Sequence, residues 1–570
     1  MIEWKLISRS RSAQTLAVVL LLSLGLNLCG NSWGTPDRWH PDELDSKAAA
    51  MVSQKTLNPH FFPYGGLHYY VLDVSAALPV GIYNLAFDPK PADSATDALA
   101  NWRDRKNTRV QIMARAMSAL MASLIVFFTY SMGNLLFSKR VGLLAALFLA
   151  VSPLFVLIAH FATVDMAASF WYWLACLLSL LSWKRETRIA YPFAAFTAGL
   201  AVGVKLDRLV VVIPLLLAPF LAKEERKVLS RRILVCALLI PIGYIIANPT
   251  LLLSFFEFAD GTTRDFVFNT LRGQGERSFL PMLVDMKSGM GAAVFGVFLA
   301  SLAYLCYELV RGEKRREIGW LLSTILPLYL VFGSRFAMPW YSPFFYPAMA
   351  IVAAYGCMSV RGAVHARAAG AVGGLVVAAV GWSLLQSIVV DQQFINAARY
   401  AAARWIEATV PRGSSIEVGR RGPVLPPGMF ELRRRTTIPA EYYDDAYKWR
   451  GDLAQSKLYE SVHGGLLRLE KFLNGLFGLK LPEHPYEAWF DRLGPPQGTA
   501  AAESSTDVPE PEYRVLVDYL DYSLVDKYKL AGSGYRLAAQ FQYKHPLHLM
   551  IAFPFINPTV YVFQRSAAPN

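Results

Sequence analysis

The sequence predicts a polytopic α-helical membrane protein of about eleven transmembrane helices with a C-terminal extracytoplasmic α/β domain. Three observations lead there. The 570 residues are 54% hydrophobic and only 17% charged, against about 25% charged in ordinary soluble proteins. The apolar residues gather in long runs up to residue 390, after which Arg, Glu, Asp, Tyr and Pro return at soluble density. Lys and Arg, finally, recur in alternate loops between the runs.

A membrane-crossing helix needs roughly 20 mostly apolar residues. Runs of that kind lie at 13–33, 110–137, 141–159, 164–183, 190–205, 207–222, 233–253, 289–310, 318–333, 342–360 and 370–390. Pro153 and Pro327 fall inside runs, which is tolerated where neighbours satisfy the freed backbone groups. The first run follows Lys5, Arg9 and Arg11. Its length, and the lack of a small-x-small site in Cys29-Gly30-Asn31-Ser32-Trp33, mark an uncleaved anchor rather than a signal peptide.

With the N-terminus in the cytoplasm, every even-numbered loop is basic: Lys139/Arg140, Lys184/Arg185/Arg188, Lys223 to Arg232, Arg311 to Arg316, and Arg361/Arg367. An odd number of spans then puts 391–570 outside, in a periplasm, and the expected location is a bacterial inner membrane. The membrane module is residues 1–390, with a first outer loop over 34–109. The net charge of +13 is explained by this topology and carries no nucleic-acid meaning. All five cysteines lie in or beside the runs, so no disulfide is expected in the outer domain.

Loops as long as 34–109 are uncommon unless functional. This one opens Asp37-Arg38-Trp39-His40-Pro41-Asp42-Glu43. Pro ahead of two acids reads as the first turn of a short helix, where carboxylates are also favoured by the helix dipole. Asp42 and Glu43 are therefore either helix-start chemistry or a reactive pair. The stretch after Asn58-Pro59, through Tyr70 to Phe87, is interrupted by Asp73 and Pro79 and is read as a helix lying in the membrane interface. Further ionisable residues fall at the same outer ends: His160 and Asp165, then Lys205, Asp207 and Arg208, then Arg264, Arg272 and Arg277, then Arg335. Snorkelling or pairing accounts for any one of them. Their convergence on one face points to a site for a polyprenyl-phosphate head group whose tail lies among the helices.

In the outer domain, 401–406 reads as a helix, and 415–418, 513–519 and 559–563 as strands. Leu458, Val462, Leu466, Leu469, Phe472, Leu473, Leu476 and Phe477 recur at helical spacing, and 494–512 is rich in Pro, Ala, Ser and acids and reads as a flexible loop.

The ordered set of features resembles the GT-C superfamily, specifically family 39 relatives of the protein O-mannosyltransferases and the lipid A aminoarabinose transferase. The matching residues are Asp42-Glu43, Asn58-Pro59 to Tyr70, Ala114-Arg115-Ala116-Met117-Ser118-Ala119-Leu120, Ser152-Pro153 through His160 to Asp165, Gly199 to Lys205, Asn248-Pro249, and Arg335 before a Pro-containing span. The resemblance implies the GT-C fold and inverting sugar transfer, on the outer face, from a polyprenyl-phosphate-linked donor to a hydroxyl of a glycan, lipid or protein. It assigns Asp42 as general base with Glu43 supporting it, Asp165 to orient the acceptor or a cation, and Lys205 and Arg335 to the leaving phosphate. Arg208 and His160 stand beside them as further candidates for the phosphate. Asp42, Glu43 and Asp165 also offer oxygen ligands for Mg2+ or Mn2+, without a spacing that specifies a site. The β-trefoil insert of eukaryotic protein mannosyltransferases is absent, as is the Trp-Trp-Asp-x-Gly signature of oligosaccharyltransferases; Trp489-Phe490-Asp491-Arg492-Leu493-Gly494 only echoes it. A transporter of a lipid-linked sugar and a non-catalytic envelope assembly partner are the alternatives. The first fits poorly with charges gathered at one membrane edge and no internal repeat.

Overall fold

The computed structural model describes residues 11–434 other than 56, 61, 63, 92–95, 223, 224, 272–276, 335, 336, 420 and 427, then 464, 465, 468, 469, 471, 472, 509–529, 534–547, 549, 553 and 556–566. Most of the expected helix at 458–477, and 494–508 of the expected loop, lie outside these residues.

Helices account for the first two thirds of the chain. They are α1 (Arg11–Leu28), α2 (Asp45–Gln54), α3 (Leu67–Phe87), α4 (Thr96–Leu136), α5 (Lys139–Ala150), α6 (Pro153–Ala159), α7 (Val164–Lys184) and α8 (Ala190–Val204). A 3-10 turn over Leu206–Val211 leads to α9 (Val212–Leu221), α10 (Arg226–Ala247), α11 (Thr250–Leu253), α12 (Phe255–Leu271), α13 (Phe279–Met290), α14 (Ala292–Arg311), α15 (Arg315–Ser323) and α16 (Leu326–Gly333). A second 3-10 turn, Pro339–Phe345, precedes α17 (Tyr346–Ala363), α18 (Ala366–Ile395) and α19 (Ala398–Thr409). Among the described residues eight helices are long and apolar enough to cross a membrane, or nine when α5 and α6, bent by 65°, count as one span.

Several expected runs are thus built from shorter pieces. Pro153 starts α6 after an extended Ser152, so the run 141–159 breaks where proline lacks an amide donor. The runs 190–205 and 207–222 form helices of 15 and 10 residues separated by an extended Lys205 and a 3-10 turn. The run 318–333 divides into α15 and α16. Conversely, 67–87, expected to lie in the interface, forms one helix of 21 residues that meets the length and composition of a span. Its interruption at Asp73 is taken up by a π-helical turn, Asp73–Ala77, inside the helix.

Inside a bilayer, lipid tails are as apolar as Leu, so helices associate through close packing of small residues. Helices α8 and α10 do so. A Cβ added at Gly199 would lie 2.2 Å from the Ile240 carbonyl oxygen, and one at Gly243 2.3 Å from that of Phe196. The same close approach continues at Gly65, where a Cβ would fall 1.6 Å from the Gly203 carbonyl oxygen.

Among the described residues the α/β part forms a five-stranded sheet of β1 (Ser415–Val418), β2 (Glu431–Arg434), β3 (Tyr513–Val517), β4 (Tyr535–Phe541) and β5 (Val560–Arg565), in the order β2-β1-β3-β5-β4. Strand β1 runs parallel to β2 and β3, while β5 is antiparallel to β3 and β4. Side chains alternate across it. Val515 joins Ala402 and Ile406 of α19 on one face, and Leu516 joins Val525 and Tyr528 of α20 (Asp518–Lys529) on the other. Phe553 and Ile556, from the chain between β4 and β5, belong instead to the apolar cluster of the membrane helices.

Gly199→Val is expected to lower the stability of the detergent-solubilised protein by about 1–3 kcal/mol through overpacking, read as the midpoint of thermal aggregation. An unchanged midpoint would mean that α8 and α10 part at no cost.

Candidate functional site

The acidic loop is held by a cation of α4. Arg115, fully buried, donates from Nε to Glu43 Oε1 at 2.6 Å and from Nη2 to Oε2 at 2.8 Å, and from Nη1 to the carbonyls of Asn31 and Trp33. Gln111 adds a donor to Glu43 at 3.0 Å. Burial alone would raise the Glu43 carboxyl, but Arg115, Gln111 and the other neighbours hold it below the ordinary glutamate value. Helix α2 begins at Asp45 rather than at Pro41, because these tertiary bonds take Glu43 out of the first turn. Asp42 and Glu43 therefore sit in the turn ahead of the helix. Glu43 is sequestered, while Asp42 is half-buried with its amide donating to His40 Nδ1 at 3.1 Å. That bond puts the His40 proton on Nε2, and burial pushes this ring down to about 4, so it is neutral near pH 7.

A second charged group forms at the break between α8 and α9. Lys205 Nζ lies 3.0 Å from Asp165 Oδ1 and 4.4 Å from the Tyr341 ring centre. Thr163 Oγ1 donates to Asp165 Oδ2 at 3.4 Å. Arg208 is buried with its guanidinium 4.1 Å from the Phe344 ring centre and Nη1 3.2 Å from Asp207 Oδ1. Among the described residues its Nε has no hydrogen-bond partner.

The first loop connects the two groups. Leu44 N donates to Ala162 O at 3.1 Å and Ala162 N to Glu43 Oε1 at 3.3 Å, just ahead of the helix that carries Asp165. Gly65 N donates to Val204 O at 3.1 Å, next to Lys205, and Gly66 N to Asn248 Oδ1 at 2.7 Å. The α/β part closes on the same loop, through Trp39 Nε1 to Gly422 O at 3.0 Å, Gly34 N to Tyr400 Oη at 3.0 Å, and the Arg434–Asp37 pair.

His160 does not join the charged group. Its ring nitrogens lie 2.7 Å from Val156 O and Cys29 O, with Asp391 at 3.5 Å, and the ring stacks on Phe394. Both nitrogens are thus engaged within the fold, which corrects the expectation of a phosphate ligand there. Arg335 lies outside the described residues. Asp42, Glu43 and Asp165 do not form a three-carboxylate set, since Glu43 faces Arg115 and Asp165 faces Lys205. Among the described residues no group of three or more His, Cys, Asp and Glu is arranged to hold a metal ion. The sequence reading gave no role to Arg115, His40 or Tyr341. An arginine inside a long apolar helix was the available signal for the first; the other two carry none.

Arg115→Met strands Glu43 in a dry site and is expected to destabilise the protein by about 3–5 kcal/mol, whereas Glu43→Leu with Arg115→Met recovers most of the loss. Thermal denaturation of the three variants in detergent checks this. Because the Glu43 value is depressed, the pair's contribution is full above the unfolded glutamate value of about 4.3 and is lost as the pH falls through the lower folded value.

Residues 108–251 match the family model described as dolichyl-phosphate-mannose-protein mannosyltransferase. No curated protein matches the sequence. Among solved structures, the chain is similar to ArnT from Cupriavidus metallidurans bound to undecaprenyl phosphate, with 13% identity and a TM-score of 0.51 over 96% of this chain and 97% of that one. The apo state of the same protein gives the same values. The oligosaccharyltransferase of Archaeoglobus fulgidus aligns over 71% of this chain at 15% identity and a TM-score of 0.46, and the chain spans 59% of its length. In fold, then, this chain is a polytopic membrane protein of the GT-C type, with strands in its C-terminal region.

Proposed function

We propose that the protein is an inverting glycosyltransferase that moves a sugar from a polyprenyl-phosphate-linked donor to a hydroxyl acceptor at the membrane face bearing the α/β domain. The observation that carries this reading is that one loop, bearing the half-buried Asp42, bonds both to the turn ahead of Asp165 and to the backbone beside Lys205. A similar fold is seen with undecaprenyl phosphate bound in ArnT, which supports a lipid-phosphate donor here.

The chemistry follows from the charges. Lys205 and Arg208 receive the negative charge that builds on the departing phosphate, and the Arg208 Nε, without a partner among the described residues, is suited to its oxygens. Asp165 holds the Lys205 ammonium in place. Asp42 accepts the acceptor's hydroxyl proton as the oxygen attacks the anomeric carbon from the face opposite the phosphate. Glu43, tied to Arg115, fixes the backbone on which Asp42 sits. An outward-facing site, a periplasmic domain and a bacterial inner membrane complete the proposal.

Sugar transfer from a panel of polyprenyl-phosphate sugars, with envelope extract as acceptor, tests it. Asp42→Asn is expected to lower kcat about 100-fold or more while the protein stays folded; full activity would reduce Asp42 to a turn residue. Lys205→Met is expected to lower kcat/KM for the donor at least about tenfold, the effect of about 1.4 kcal/mol of lost transition-state stabilisation. No transfer by the wild type with any donor would return the reading to a transporter or an assembly partner.

A further inference from the structure

Phe553 belongs to the polypeptide between β4 and β5 of the α/β part, yet its side chain is 7% exposed within the cluster of the membrane helices. Among the described residues three rings lie against it. Phe161 stacks at 6.0 Å between centroids, His40 at 6.3 Å, and Trp340 meets it edge-on at 5.9 Å. Each of these neighbours is one step from the site. His40 receives the Asp42 amide. Phe161 precedes Ala162, which exchanges hydrogen bonds with Glu43 and Leu44. Trp340 precedes Tyr341, the ring beneath Lys205.

Residues on either side of Phe553 in the chain bond to the junction of α18 and α19. His545 Nε2 meets Gln392 Oε1 at 2.7 Å, Asn557 Oδ1 accepts from Ala398 N at 3.3 Å, and Asn557 Nδ2 donates to Tyr543 O at 2.6 Å. These bonds tie both ends of the segment to the junction of α18 and α19. We propose that Phe553 is a positioning residue through which the docked α/β domain sets the spacing of the Asp42 loop against the Lys205 segment, so that the reactive geometry is complete only with the domain in place. Aromatic packing is directional, and a misplacement of about 1 Å costs up to about a hundredfold in rate. The consequence for activity rests on the proposed transfer reaction; the consequence for loop order does not.

The test compares full-length wild type, Phe553→Ala and Phe553→Tyr in detergent by hydrogen exchange and by sugar transfer. In Phe553→Ala, residues 38–44 and 338–346 are expected to exchange faster together while β3 and β5 stay protected, and kcat is expected to fall about tenfold or more with little change in donor KM. Phe553→Tyr, which keeps the ring, is expected to restore both. Unchanged exchange in the two segments would overturn the proposal. So would loss of protection across the sheet, which would assign Phe553 to domain folding, and so would faster exchange with kcat intact. A wild type that transfers no sugar refutes the transferase reading, and the exchange result then decides the positioning role by itself.

Discussion

The buried pair of Arg115 and Glu43 is the interaction on which the site's architecture depends. A guanidinium in the apolar interior costs several kcal/mol unless its donors are met. Glu43 and the carbonyls of Asn31 and Trp33 meet them. Four segments are fixed by that requirement: the end of α1, the turn before α2, the helix α4, and the turn before α7, whose Ala162 amide points to the same carboxylate. The loop cannot lift from the bundle without stranding two charges. Asp42, the next residue along, inherits a fixed place at the rim without spending its own carboxylate on that bond.

The opposite half of the site is made by interruption rather than by pairing. Close packing of α8 on α10 through Gly199 and Gly243 brings the end of α8 to Asn248 and Gly65, and the chain then turns extended at Lys205. Irregular backbone at such a place is tolerated only where protein covers it. Here Gly65 N caps Val204 O, and Tyr341 and Phe344 lie against the two cations. The outcome is two ion pairs, Lys205 with Asp165 and Arg208 with Asp207, held in partly dry surroundings, where charges act on one another more strongly than in water.

The α/β part has more than a bystander's relation to these groups. Its sheet has its own two-sided core, yet Trp39, Arg399 and Phe553 join it to the first loop. Arg399 is buried against the Trp39 ring at 4.6 Å and donates to Arg421 O at 2.8 Å. A domain that merely hung from the membrane would leave such rings and charges to solvent.

Much of this was legible in the residues alone. Composition and the run lengths dictate a bilayer, because that much apolar surface has no other place to go. The return of charge after residue 390 dictates a second, water-facing part, and the alternation in Ser415–Val418 and Tyr513–Val517 dictates strands there. Asp165, Lys205 and Arg208 stand out as ionisable residues at the ends of apolar runs, where the cost is high, and Asp42 stands out in a loop of a length that is uncommon without function. What the sequence does not contain is which charges find each other. Asp42 and Glu43 are indistinguishable neighbours on paper; only the approach of Arg115 from 72 residues away separates the sequestered acid from the half-buried one. His160 reads like Lys205 until two carbonyls take up its ring. Phe553 has no signal at all, since an aromatic in a polar domain looks like that domain's own core. Local patterns report the solvent a segment needs, whereas pairing depends on distances through space that close only when the whole chain has packed.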